Sequence, residues 1–182
     1  MHIDQTCKKA SKVLGFLKRN IKHCPSSVKD RAYTSLVRPK LEYCSTIWNP
    51  YTTSKLESVQ KNAARFVLNN PHDYKKPDST MKMVNDLNWG KLEQRRKRSD
   101  VALMHKVVHH LIAMPVYHHL TMAEITSTRH SHAWKFQTIR TNINIYKYSF
   151  FPRTNPLWDQ LPPPVIAAPE LDAFKVAVKG VF

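Results

Sequence analysis

Glycine is nearly missing from this chain: 182 residues contain 3, at Gly15, Gly90 and Gly180. A phosphate-cradling P-loop and a dinucleotide fingerprint each need several closely spaced glycines, so both are excluded. Acidic residues are scarce, 13 against 29 Lys and Arg, with no Asp-Asp dipeptide and no carboxylate triad for a two-metal centre. Cys7, Cys24 and Cys44 are odd in number and widely spaced, with no CxxC pair. That excludes the pattern of a disulfide framework or zinc knuckle and fits a reducing compartment. No apolar run approaches the roughly 18 residues of a membrane span. Met1 to Asn20 is too polar for a secretory signal. A cytoplasmic or nuclear location without a membrane partner is expected.

What is present is positive charge. The formal net charge is +16, and residues 1–100 hold 21 Lys and Arg against 9 Asp and Glu, whereas residues 101–182 hold 8 against 4. Such an excess points to a polyanionic partner, nucleic acid before an anionic membrane surface. The alternative is a basic surface with no ligand, or one whose acidic partner domain is elsewhere. Hydrophobic residues make up 42%, enough for a packed core. Low glycine suits a helical body, and twelve prolines clustered late in the chain suggest a helix-poor end.

Residues 4–23 have helical periodicity. Ala10, Val13, Leu14, Leu17 and Ile21 share one face, while Lys8, Lys12, Arg19 and Lys22 line the other. The basic stripe can track a phosphate backbone or be a solvated face. Ser27 and Asp30 fit a capping box for a helix through Ala32, Tyr33, Leu36 and Val37. Pro39 ends or kinks that helix, or opens a new one carrying Leu41, Cys44, Ile47 and Trp48. Ser54 and Glu57 form a second capping box, before Leu56, Val59, Ala63, Phe66 and Val67. Short connections favour antiparallel neighbours and a small bundle.

Asn69 to Ser79 reads as a loop, Thr80 to Leu87 as a short helix, and Lys91 to Ala113 as a longer one. The long helix bears Leu92, Val101, Leu103, Met104, Val107, Val108 and Leu111, and the run Arg95, Arg96, Lys97, Arg98. A run of four wraps a helix, so only part of it can face one ligand. Met114 to Asn144 reads as a linker. From Ile145 aromatics alternate with prolines, which suits an extended segment held by aromatic anchors. Pro169 to Phe182 is a final short helix with Leu171, Phe174, Val178 and Val181 on one side.

Constellations with chemistry are few. His105 and His109 have the spacing of a zinc-binding helix, but Lys106 stands where a metalloprotease has glutamate. His110, His118 and His119 add no carboxylate ligand. His130 and His132 flank Ser131 without an oxyanion-hole turn. No metal, no cofactor and no enzymatic activity are expected. Trp48 and Trp89 are expected in the core; Tyr146, Tyr148 and Arg153 are candidates for exposed contact with nucleic acid.

Five separated blocks share one likeness: LGFLKRNIKHCP (14–25), YTSLVRPKLEYCSTIWNPYT (33–52), LESVQKNAARFVLNN (56–70), LNWGKLEQRRKR (87–98) and YKYSFFPRTNPLWDQLP (146–162). In this order they resemble the C-terminal end of reverse transcriptases from jockey-like non-LTR retrotransposons. The resemblance implies a thumb in the first helices, gripping a template–primer duplex, followed by a C-terminal extension. It also implies that the palm with its Asp-Asp metal site precedes residue 1, leaving a truncated, non-catalytic fragment. Shared positions such as Arg38, Pro39, Tyr43, Trp48, Arg65 and Phe151–Arg153 carry either structure or nucleic-acid contact.

The expected fold is mainly α: a helical thumb-like bundle at 1–112, a linker or irregular excursion at 113–145, and an irregular Pro/aromatic-rich segment at 146–182 ending in a short helix. The expected partners are RNA, DNA or an RNA–DNA hybrid, and the palm domain of a parent polymerase. Lys8, Lys12, Arg19, Lys22, Arg38, Arg65, Arg95, Arg96, Lys97, Arg98 and Arg153 are the candidate nucleic-acid contacts. Leu14, Leu17 and the Trp48 corner are the surface expected to dock a palm. The alternative is a structural subdomain with no binding activity of its own.

Overall fold

The computed structural model describes residues 2–49, 53–69, 77–114, 119–123 and 134–182, with backbone alone at 77–80. Of the loop expected at Asn69 to Ser79, residues 70–76 lie outside them, as do His118, His130, Ser131 and His132, whereas 77–79 belong to a helix that starts earlier than the expected Thr80. The protein is mainly α-helical, and its helices are α1 (His2–Asn20), α2 (Ser26–Ala32), α3 (Arg38–Glu42), α4 (Ser45–Trp48), α5 (Ser54–Val67) and α6 (Pro77–Asp86). They continue with α7 (Leu92–Val108), α8 (Asn144–Lys147), α9 (Phe150–Asp159), α10 (Pro163–Ile166) and α11 (Leu171–Val178). These group into two compact units: Met1–Cys44 with Pro50–Glu93, and Ser45–Asn49 with Gln94–Phe182. The division falls inside α7, not at residue 112, and the TIWN stretch goes with the second unit.

In the first unit α1 packs on α5, α3 and the turn before α3, and α5 packs on α2 and α6. The periodicity of α1 explains its seat: Ala10, Leu14 and Leu17 are buried, with Leu56, Val59, Ala63, Ala64 and Val67 of α5 in the same core. Leu14 and Leu17 are therefore core residues, which corrects the expectation that they form a docking surface. Packing against the chain's own α3 and α5 already satisfies that apolar face.

Pro39 neither ends nor sharply breaks its helix. It sits in the first turn of α3, which continues directly from a widened turn before it. The preceding residues Tyr33–Val37 widen into a π turn, with the Arg38 N–H donating to the Tyr33 carbonyl five residues back. Neither expected capping box forms. Pro25 and Thr53 occupy the N-cap positions, and no side chain caps either helix. Asp30 instead accepts the Trp89 indole N–H at 2.7 Å, and Glu57 accepts the Glu93 N–H at 3.1 Å, in the first turn of α7. Trp89 is buried and stacks on Tyr33 at 4.0 Å; the Tyr33 hydroxyl donates to Gln60.

With so little glycine, other residues take the left-handed positions that end helices. Asn88 (φ 53°) follows α6, and the Trp89 N–H reaches the Val84 carbonyl at 3.1 Å. His110 (φ 53°) follows α7, and the Leu111 N–H reaches Lys106 at 2.8 Å. The long helix thus stops at Val108, before the expected Ala113.

The second unit is built on Val101, Met104, Val107, Val108, Leu120, Phe136, Trp158, Leu161, Ile166, Phe174 and Val178. The stretch expected to be a linker supplies Leu120 and Phe136, joined where the Ala123 N–H donates to Lys135 and the Gln137 N–H donates to Thr121. The Pro/aromatic-rich segment is not extended but folds as α8, α9 and α10. Pro152 lies in the first turn of α9 and Pro163 opens α10, positions where proline's fixed φ favours a helix. Pro156 lies inside α9, whose Trp158 is fully buried and donates to the Trp134 carbonyl at 3.0 Å.

Candidate nucleic-acid interface

The basic stripe of α1 follows from its spacing. Burying Ala10, Leu14 and Leu17 turns positions 8, 12 and 19 outward, and Lys8, Lys12 and Arg19 are all exposed; Lys22 is exposed on the turn that follows. Lys8, Ser11, Lys12, Gly15 and Arg19 line one open groove. Gly15 makes the notch, since a Cβ there meets only the Arg19 Nη1 at 3.7 Å. The sole carboxylate of α1, Asp4, is engaged by Lys55 at 2.6 Å, and that partner holds its carboxyl below the usual range. Among the described residues no ion pair neutralises Lys8, Lys12, Arg19 or Lys22. From Lys8 to Arg19 the helix rises roughly 16 Å, about five base-pair steps at ~3.4 Å each.

Arg65 of α5 adds to this surface at the edge nearest α1. It is half-buried, donates to Asn62 at 2.9 Å, and lies close enough to Lys18 to disfavour its charge. Burial, first, and then the Arg65 guanidinium hold the Lys18 ammonium below its ordinary value. Arg38 is different, because its Nε is held by Glu42 one turn on, at 3.2 Å.

The run Arg95–Arg98 divides. Arg95 and Arg96 are buried, Lys97 and Arg98 half-buried, and Arg98 donates through Nε to the Phe182 carbonyl at 3.0 Å. The Arg96 guanidinium lies 4.7 Å from the Trp48 ring centre and donates to the Asn49 side chain at 3.3 Å. The Trp48 corner, expected as a docking surface, is thereby covered on one side by the protein's own arginine.

Arg153, expected as an exposed contact, is turned inward. Its Nε and Nη2 grip the fully buried Asp100 carboxylate, both at 3.0 Å, while Nη1 donates to the Tyr148 carbonyl at 2.8 Å and Nη2 to the Thr46 carbonyl at 2.7 Å. Asn49 adds a donor to Asp100 at 3.2 Å. Burial pushes the Asp100 carboxyl up, against the pull of Arg153, Asn49 and Arg96. Thus Arg96 and Arg153 are structural cations. The reason is the buried carboxylate, which demands paired donors and lies far from Arg153 in sequence. Tyr146 is exposed and Tyr148 half-buried.

His105 and His109 point at backbone carbonyls, and no group of three or more His, Cys, Asp or Glu is placed to hold a metal among the described residues. Among those residues, no helix is long and apolar enough to cross a membrane. Comparison with family models, with curated proteins and with solved structures gives no match.

Proposed function

We propose that the chain is a non-catalytic region of a retrotransposon RNA-directed DNA polymerase, similar to its thumb and C-terminal extension. In this reading it binds RNA, DNA or their hybrid without reading sequence, through the outward face of α1. The observation that carries the binding reading is the exposed set Lys8, Lys12, Arg19 and Lys22, unneutralised by any described carboxylate. The polymerase assignment rests on the five sequence blocks, and the palm of such an enzyme is the proposed protein partner. Lysine and arginine contacts to phosphate position a duplex without specifying its sequence.

A second reading, a structural subdomain, is favoured by one specific observation. Arg96 and Arg153, two of the candidate contacts, are spent inside the second unit. Binding is therefore expected from the first unit's surface and not from the second's.

Fluorescence anisotropy of the full chain with a short labelled RNA–DNA duplex, at several salt concentrations, tests this. Four phosphate contacts give a slope of log K against log salt of about −3 to −4. Lys8→Glu, Lys12→Glu, Arg19→Glu and Lys22→Glu together should abolish most of that slope. Folded protein that does not bind at low salt, or a slope that the four substitutions leave unchanged, removes the α1 face from consideration.

A further inference from the structure

The second unit contains two histidines that the binding reading leaves unused. His105 is fully buried, and its Nε2 lies 2.8 Å from the Ala168 carbonyl; the Nε2 of His109 lies 3.3 Å from the Ile166 carbonyl. The rings are 4.1 Å apart, and Phe174 of α11 lies 4.3 Å from His105. Both acceptors lie at or just beyond the end of α10, where carbonyls lack intrahelical partners. We propose that His105 and His109 form an acid-released latch that clasps the α10–α11 connection onto α7.

The chemistry is directional. To donate through Nε2, neutral His105 carries its proton there, leaving Nδ1 bare; that Nδ1 is buried with no hydrogen-bond partner. Protonation places an N–H and a charge at this buried atom, with no acceptor, on a ring that packs against Phe174 of the apolar core. Among the described residues no carboxylate acts on it. On α7 the titratable neighbour is His109, beside half-buried Lys106; α10 carries no charge. Glu170, Asp172, Lys175 and Lys179 around α11 are exposed, and Asp159 of α9 has Lys135 as its charged neighbour. Burial, then the charge on His109, lower the basicity of His105 against the opposing pull of the Ala168 carbonyl. A histidine lowered in the folded state stabilises the fold above its unfolded value of about 6.5. That contribution is lost as pH falls from there toward the folded value. Release uncovers Phe174 and Val178 together with the Trp158 face they cover.

Hydrogen exchange of the full chain between pH 7.5 and 5.0, corrected for intrinsic rates, tests the latch. The opening constant of amides in 163–182 should rise as pH drops below about 6.5, by at most tenfold per pH unit for one proton. Amides of α1 and α5 should not follow. In His105→Gln the side-chain amide can still donate to Ala168 but takes up no proton, so the rise should vanish. An unchanged wild-type profile, or the same rise in His105→Gln, overturns the proposal. If that variant does not fold, ring-carbon NMR of wild-type His105 decides. Titration of His105 in step with the opening of 163–182 supports the latch, and titration without opening, or opening without titration, overturns it.

Discussion

Replacing Arg153 with alanine tests the architecture of the second unit most sharply. Asp100 is fully buried, and the guanidinium supplies two of its hydrogen bonds; the same side chain also satisfies the carbonyls of Tyr148 and Thr46. Removing one member of a buried pair leaves an uncompensated charge, at a cost of about 3–5 kcal/mol. With a urea dependence of about 2 kcal/mol per molar, that lowers the unfolding midpoint by about 1.5–2.5 M. Hydrogen exchange at α7 and α9 amides, beside urea titration, assigns the loss to this unit. The pH dependence supplies a second reading. Burial already raises the Asp100 carboxyl, and loss of Arg153 removes the first opposing influence, so it rises further. A carboxyl raised in the folded state binds more protons folded than unfolded, so the variant's deficit should shrink as pH falls through that folded value. Lysine should not rescue, because its ammonium cannot fork onto both carboxylate oxygens. A loss below about 1 kcal/mol, or a deficit that does not change with pH, refutes the view that the pair holds this unit together.

Two further substitutions probe the first unit and the end of α7. Trp89→Phe keeps the stack on Tyr33 but removes the indole donor to Asp30, and should cost about 1.5–3 kcal/mol in urea unfolding. A loss below about 0.5 kcal/mol means that water replaces the indole at Asp30. His110→Gly should stabilise by about 0.5–1 kcal/mol, since His110 is exposed and holds a left-handed conformation that glycine adopts without a Cβ penalty. A thermal midpoint that falls in this variant means that the imidazole makes a contact outweighing the backbone relief.

The helices were largely legible in the chain because helical periodicity is local. The spacing of Ala10, Leu14 and Leu17 places α1 and faces its lysines outward, and Leu56, Val59, Ala63 and Val67 do the same for α5. The exposed part of the candidate interface was legible for the same reason, since a buried stripe on one face dictates the opposite one. Pro39 opens α3, one of the two alternatives its local sequence allowed. The late prolines misled, because composition registers their number but not their helical position: Pro163 at the first turn of α10 is compatible with the helix that proline disrupts elsewhere.

Sequence by itself determined the helical class, the basic balance and the outward stripe of α1, all products of neighbours within a turn or two. Tertiary structure decided the partners. Asp30 and Glu57, three residues beyond plausible caps, took Trp89 and the Glu93 amide instead, because each lone pair goes to whichever donor packing brings closest. Arg96 and Arg153 resemble Lys8 and Lys12 as letters in a basic chain, yet one pair is buried or nearly so and the other is solvated. The difference is Asp100 for Arg153 and Trp48 for Arg96, partners far apart in sequence that burial joins. A charge far along the chain has no signature until folding removes the water that would otherwise satisfy it.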